Sequence, residues 1–245
     1  MKTVIKIILL LGVVGYLTFA IVELARPTEE ALCCGVEVIF TDSLESDFVQ
    51  EADVMNMLAK HKISPEGQQL SQVDIAAIED MLKESPYLRD VLCYFTASGK
   101  LCVQVATMHP ILHVMAQNGE EYYLDRSGEN MPVGHYNLNV CVATGKITKD
   151  FAREQLTNLA QYINDDEFWS KQVQQIHVYS KDEVSLYPRV GNHRIILGNT
   201  HNYEEKLDRL ILFYEKGLPK TGWNKYKTIN LAYTGQIVCT KWENK

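Results

Sequence analysis

The sequence predicts an α+β protein built from a single N-terminal transmembrane helix, a small β-α-α-β-β domain and a mostly antiparallel β-rich domain with helices. Three observations carry this. Residues 7–22 form one nearly unbroken apolar run at the start of the chain. Hydrophobic residues make up 46% of the whole, enough for the part beyond the run to bury a core. Within that part, apolar positions alternate between the helical period of 3.6 and the strand period of 2.

Leu, Ile, Val and Phe fill most of the run, each favouring insertion by roughly 0.3 to 0.6 kcal/mol near a helix centre. The run alone rises about 24 Å, short of a hydrocarbon core of roughly 30 Å. Extension to Thr3 and Leu24 closes the gap, with Lys6 and Glu23 at the ends, where long charged side chains reach the headgroups. Lys2 and Lys6 precede the span, so the positive-inside rule keeps the N-terminus cytoplasmic and exports the body. A cleaved signal peptide is the rival reading. The run is longer than a usual signal core, and Thr18-Phe19-Ala20 and Glu23-Leu24-Ala25 are poor cleavage sites. Lipid attachment at Cys33 or Cys34 is opposed by the bulk of Leu32. The expected divisions are a cytoplasmic start over 1–6, the membrane helix over 7–24, a linker over 25–34, and domains over 35–108 and 109–245.

The first domain begins with a β-rich stretch at 36–40. Val54, Met57, Leu58 and His61 then fall at i, i+3, i+4 and i+7, the stripe of an amphipathic helix. A loop with Pro65 and Gly67 leads to a second helix, with Ser71 as N-cap and Asp74 three residues on. This helix buries Ile75, Ile78, Met81 and Leu82 and stops before Pro86. Strands at 89–96 and 101–108 join across Ser98-Gly99, a two-residue hairpin turn.

In the second domain, strands at 111–116 and 121–125 flank Asn118-Gly119, whose residues tolerate positive φ. Residues 126–129 turn, and 140–143 is a strand. A helix over 148–163 puts Leu156, Leu159, Ala160 and Ile163 on one face. Strands recur at 175–179, 184–187 and 193–197, and Tyr203, Leu207, Leu210, Ile211 and Tyr214 mark a last helix. Residues 227–233 and 236–240 close the chain as a hairpin around Thr234-Gly235.

Charge and motifs narrow the function. Lys and Arg number 24 against 31 Asp and Glu, a formal charge of −7, which argues against a nucleic-acid or anionic-lipid surface. No nucleophile elbow, metal spacing or glycine-rich phosphate loop occurs, so no cofactor, metal or small-molecule substrate is expected. Asp165-Asp166-Glu167 reads as the start of a short helix, and Asp125 as a turn-former. His109, His113, His177 and His193 lie in or beside strands and are not spaced as ligands. The six cysteines (Cys33, Cys34, Cys93, Cys102, Cys141, Cys239) are even in number but lack the spacing of a disulfide framework. Cys93, Cys141 and Cys239 sit in apolar strand-like runs, where a buried thiol is the ordinary outcome.

With Phe213-Tyr214-Glu215-Lys216-Gly217-Leu218 and Gly222-Trp223 near its end, this order of elements resembles the bacterial cell-division proteins FtsQ and DivIB, in their Bacteroides-type branch. The motifs lie along nearly the whole length. Asp53-Val54 opens the first helix, Asp74-Ile75 the second, and Ser85-Pro86-Tyr87-Leu88 is similar to the family's entry to the hairpin. Pro110 follows the third strand. Tyr123-Leu124-Asp125-Arg126-Ser127-Gly128 is similar to its Leu-Asp-x-x-Gly turn, Leu197-Gly198 with Lys206-Leu207 to its Leu-Gly and Lys-Leu pair, and Ile229-Asn230-Leu231-Ala232-Tyr233 to its Ile-Asp-Leu-Arg-Tyr strand. Asn230 and Ala232 depart from that last pattern, as does Met108-His109-Pro110, which lacks a basic residue before the proline.

The resemblance implies that the first domain is a POTRA-like recruitment unit. It also implies a non-enzymatic, inner-membrane division scaffold that binds FtsB-like and FtsL-like proteins, and through them the septal peptidoglycan synthase. The predicted final strand lies almost at the end of the sequence, so little chain remains to cover its outer edge, and a partner strand can pair there by β-augmentation. Tyr233, Gly235, Gln236, Ile237 and Val238 are the expected partner-binding residues, with Tyr233 as aromatic anchor. A POTRA-containing envelope chaperone or assembly factor is the alternative, distinguished by uniform envelope localisation in place of a midcell band.

Overall fold

The computed structural model describes residues 2–25, 31–41, 49–134 and 138–242, which divide into units Met1–Thr107 and Met108–Lys245. The first element, α1 (Lys2–Ala25), carries the apolar run. Its described side chains are Lys6 and those of 9–20, shorter than the predicted span, and Leu9, Leu11, Tyr16 and Phe19 on it are exposed. Among the described residues no helix is long and apolar enough to cross a membrane. The Lys2 side chain and linker residues 26–30 lie outside the described residues.

The remainder of the first unit is β1 (Val36–Phe40), α2 (Glu51–Lys60), α3 (Ile75–Lys83), β2 (Leu88–Phe95) and β3 (Leu101–Thr107). The sheet order is β1-β3-β2, with β1 parallel and β2 antiparallel to the central β3. This is the predicted β-α-α-β-β layout. Val54 and Leu58 of α2 and Ile78 and Leu82 of α3 are buried, as are Val91, Leu101, Val103 and Val105 of the sheet. Each contributes roughly 1.5 to 3 kcal/mol through the apolar surface it removes from water.

Helix starts differ from the sequence expectation. Gln50 caps α2, and its N–H donates to the Asp53 carboxylate at 2.9 Å. Asp74, not Ser71, caps α3 by accepting the Ala77 N–H at 3.0 Å. Ser71 sits in a 3₁₀ turn, Leu70–Gln72, that buries Leu70, and the extended backbone of Val73 prevents a helix from starting earlier. The Cys33-Cys34 pair also gains an account. Residues 31–34 run antiparallel to 67–70, with Cys33 N–H donating to the Gln68 carbonyl and Gly67 N–H to the Cys33 carbonyl, both at 2.8 Å. Cys33 is thereby turned inward and Cys34 outward, and all six thiols are free.

The second unit contains β4 (Pro110–Ala116), β5 (Glu121–Asp125), β6 (Asn130–Pro132), β7 (Cys141–Gly145), α4 (Lys149–Phe151), α5 (Thr157–Asp165), α6 (Glu167–Gln172), β8 (Val173–Ser180), β9 (Glu183–Pro188), β10 (Arg194–Gly198), α7 (Tyr203–Lys216), α8 (Leu218–Thr221), β11 (Tyr226–Asn230) and β12 (Val238–Lys241). Among the described residues its strands form one nine-stranded sheet, β12-β11-β10-β9-β8-β7-β4-β5-β6. Five neighbouring pairs are antiparallel. The parallel pairs are β10/β11, β7/β8 and β4/β7.

Alternation along the strands separates two faces. Leu112, Val114, Ala143, Ile176, Val178, Leu186, Ile195 and Ile229 join Leu156, Leu159, Ile163, Leu207, Leu210 and Tyr214 of the helices in one core cluster. The helix predicted over 148–163 is α4 and α5 joined by a π turn, Ala152–Leu156, where the Thr157 hydroxyl donates to the Ala152 carbonyl at 3.1 Å. Buried Asp125 holds the following turn by accepting from Ser127 N–H, Ser127 Oγ and Glu129 N–H at 2.7 to 2.9 Å. Asp166 caps α6, as the acidic run predicts. Lys206 is buried and its ammonium donates to the Asn199 carbonyl and Oδ1 at 2.8 and 3.0 Å, tying α7 to the end of β10.

The close β7/β8 approach rests on Gly145, at φ +106°, where a Cβ would meet the Val178 carbonyl oxygen at 2.2 Å. Gly145→Ala is therefore expected to cost the second unit about 3 kcal/mol. The loss is measured as a lowered urea midpoint, and an unchanged midpoint contradicts the packing account.

Candidate partner-binding edge

The end of the sheet is built by Leu231 as much as by β12. Leu231 is fully buried, and its N–H donates to the Ile196 carbonyl at 2.8 Å, continuing the parallel ladder of β11 on β10. Its carbonyl accepts from Arg209 at 3.1 Å. Gly198 leaves room for this crossing, since a Cβ there would meet Ala232 at 2.9 Å. With Leu231 held in the core, the chain cannot turn back at once.

The predicted tight hairpin at Thr234-Gly235 is accordingly replaced by a longer connection over 231–237. Pairing resumes only at Asn230↔Val238, so the last strand is Val238–Lys241 and not 236–240. Of the five predicted partner-binding residues, only Val238 lies in the strand. Tyr233, Gly235 and Gln236 are exposed on the connection, and Ile237 is half-buried against the core. In β12, Cys239 opposes buried Ile229, while Val238 and Thr240 stand on the other face opposite Asn230 and Thr228.

Strand β12 pairs with β11 and is the last strand at its end of the sheet. A strand in that position presents unpaired backbone N–H and C=O groups on its outer side. The opposite end is different: β6 spans Asn130–Pro132, and its proline has no N–H to offer.

On the sheet face away from the helices, side chains that sequence reasoning passed over form a polar and aromatic strip. Thr144 Oγ1 lies 2.7 Å from both His177 Nδ1 and Gln175 Nε2. The His177 and Tyr179 rings meet edge-on at 4.3 Å. The Tyr179 hydroxyl lies 3.1 Å from that of Tyr187 and accepts from Arg194 at 3.0 Å. These two contacts, Tyr187 first, hold the Tyr179 phenol below its usual range, whereas burial pushes Tyr187 up. The legible signal was positional: Gln175, His177 and Tyr179 occupy every second place of one strand.

Next to β12 this face opens into a cleft of about 580 Å³ whose lining includes Tyr187, Asn192, Arg194, Lys227, Thr228 and Trp242. A register shift between Tyr226 and Thr228 turns Lys227 onto the same side as Thr228, a use of bulges common at sheet edges. The Lys227 ammonium lies 6.0 Å from the centre of the Trp242 ring.

The arrangement offers binding more readily than covalent chemistry. Burial pushes the Cys93 and Cys141 thiols up to about 12, so both are protonated at neutral pH and unsuited as nucleophiles. Among the described residues no group of three His, Cys, Asp or Glu side chains is placed to hold a metal ion.

Comparison with known families follows the same division. Residues 31–106 match the POTRA-like domain, which makes this a POTRA-bearing protein with a β-rich second unit. Residues 109–240, more than half of the chain, match the family described as FtsQ/DivIB, C-terminal related. The chain belongs to the FtsQ/DivIB family. No curated protein matches the sequence significantly.

His193 also lines the cleft but is buried, with Nε2 at 2.7 Å from the Tyr214 hydroxyl. Burial pushes its imidazole below the ordinary 6.5, opposed by the Trp223 carbonyl. The unfolded chain then binds the proton more readily, so stability rises with pH through the window ending near 6.5 and falls on acidification. Between pH 7.5 and 5.0 the urea midpoint of the native chain should drop more than that of His193→Phe. Parallel profiles would show that His193 does not contribute.

Proposed function

We propose that this protein is a membrane-anchored, non-enzymatic scaffold of the bacterial division machinery. In this reading α1 spans the inner membrane over 7–24, with Lys2 and Lys6 on the cytoplasmic side and the body in the periplasm. Its support is the apolar run itself and the exposure of Leu9, Leu11, Tyr16 and Phe19 around α1, which suits a helix surrounded by lipid. The POTRA-like unit over 35–108 serves recruitment to the septum. The unit over 109–245 binds FtsB-like and FtsL-like proteins and so connects to the septal peptidoglycan synthase.

The observation that carries the reading is the unequal pair of edges on the large sheet. Among the described residues no strand pairs with the outer side of β12, and the β6 end carries Pro132. Main-chain hydrogen bonds along β12 supply affinity, and alternate side chains supply selectivity. Val238, 44% exposed, and Thr240 flank the docked strand, while exposed Tyr233 on the connection is an aromatic anchor within reach of the same partner. Gly235 (φ +71°) and Gln236 shape that connection, and Ile237 fixes it to the core.

Proline is tolerated at the first residue of a strand but cannot donate a hydrogen bond. Val238→Pro should therefore reduce pull-down of the FtsB-like and FtsL-like partners at least tenfold, with the circular dichroism and melting of the full chain unchanged. Pull-down within twofold of native would exclude the edge.

A further inference from the structure

The cleft beside β12 stands out electrostatically. The protein carries a formal charge of −7, yet among the described residues the cleft is lined by Arg194 and Lys227 and by no carboxylate. Among the described residues neither cation forms an ion pair: Arg194 donates to the Tyr179 hydroxyl and lies 5.3 Å over its ring, and Lys227 lies over Trp242. Two unpaired cations about a shared space attract an anion. The Arg194 guanidinium, half-buried and already oriented by Tyr179, can bind one with little further ordering.

We propose that this cleft receives an acidic side chain, Asp or Glu, of a partner polypeptide. The inference rests on the reading of β12 as the docking edge. The occupant follows from charge and from continuity. Thr228 on the cleft wall opposes Thr240 of β12, and Trp242 follows β12 directly. A strand laid along β12 therefore has its side chains on one face beside the cleft. A volume of about 580 Å³ admits a carboxylate and a neighbouring apolar side chain against Trp242 and Tyr187. Asn192 and Thr228 add hydrogen-bonding groups, and Lys227 provides the outer charge. The contact selects among strand-forming partners, which the backbone edge alone does not do.

The test uses the full chain in cells, in two separate arms. A photo-crosslinker at Val238 examines the docking edge; absence of a captured polypeptide there sinks that reading. In parallel, a water-soluble carbodiimide, which joins a carboxylate to a contacting amine without a spacer, is applied to membranes and Lys227 conjugates are mapped by mass spectrometry. The expected result is an amide between Lys227 and an Asp or Glu of another polypeptide, at least tenfold above conjugation at exposed Lys225, and reduced at least fivefold by Arg194→Gln. A Lys227 conjugate no more abundant than that of Lys225, or one formed only with small anions or lipid, overturns the proposal whatever the photo-crosslinker captures.

Discussion

Backbone groups on the outer side of β12 are the point on which the structure turns. Within a sheet every strand satisfies its N–H and C=O groups on both sides, and the net gain per bond, about 1 kcal/mol, is small beside the penalty for burying such a group unpaired. An edge strand stays soluble because water serves its free side. It also stays receptive, because a partner strand can take the place of that water. In this protein the two ends of the nine-stranded sheet differ in that respect, β6 through Pro132 and β12 through its continuous N–H groups. The helices, the glycine-dependent β7/β8 approach and the buried Leu231 all serve to hold β12 in place.

The same alternation that builds the core also builds the proposed recognition surface. Ile229 and Cys239 point towards the helices, so Thr228 and Thr240 stand on the opposite face. A single irregularity at Lys227 adds a cation to that face beside Arg194 and Trp242. Positive charge near an edge opposes pairing between two copies of the same strand, because like charges would meet. It favours a heterologous partner of opposite charge. In the proposed docking mode, affinity through backbone pairing and selectivity through a charged cleft are thus separable properties of adjacent atoms.

The β-α-α-β-β unit and the antiparallel character of the second sheet were legible in the sequence, because Val54 with Leu58, Ile78 with Leu82, and the alternating strand residues report burial directly. The turns at Gly99 and Gly119 were legible in place, although the first is a three-residue loop over 97–99, with Gly99 N–H donating to the Thr96 carbonyl, and not the two-residue turn expected at Ser98-Gly99. Boundaries were less so. Asp74 displaced Ser71 as a cap because the intervening Val73 is extended, a backbone property that residue type does not announce. The last hairpin was read too tight because Leu231, apolar in an apolar run, gives no sign that it leaves the β11/β12 pairing while remaining bonded to Ile196. The cleft was invisible for a different reason: Arg194 and Lys227 are far apart in sequence and meet only through parallel pairing of β10 with β11, while a register irregularity turns one of them outward.

Amide hydrogen exchange over residues 238–241, measured on the full chain alone and bound to the proposed FtsB-like partner, tests the central claim most directly. Among these amides, those not engaged with β11 should exchange rapidly in the free protein and slow at least tenfold in the complex, with the β6 amides unchanged. Amides of β12 already slow in the free chain, or unaltered by the partner, would contradict docking by strand addition at this edge.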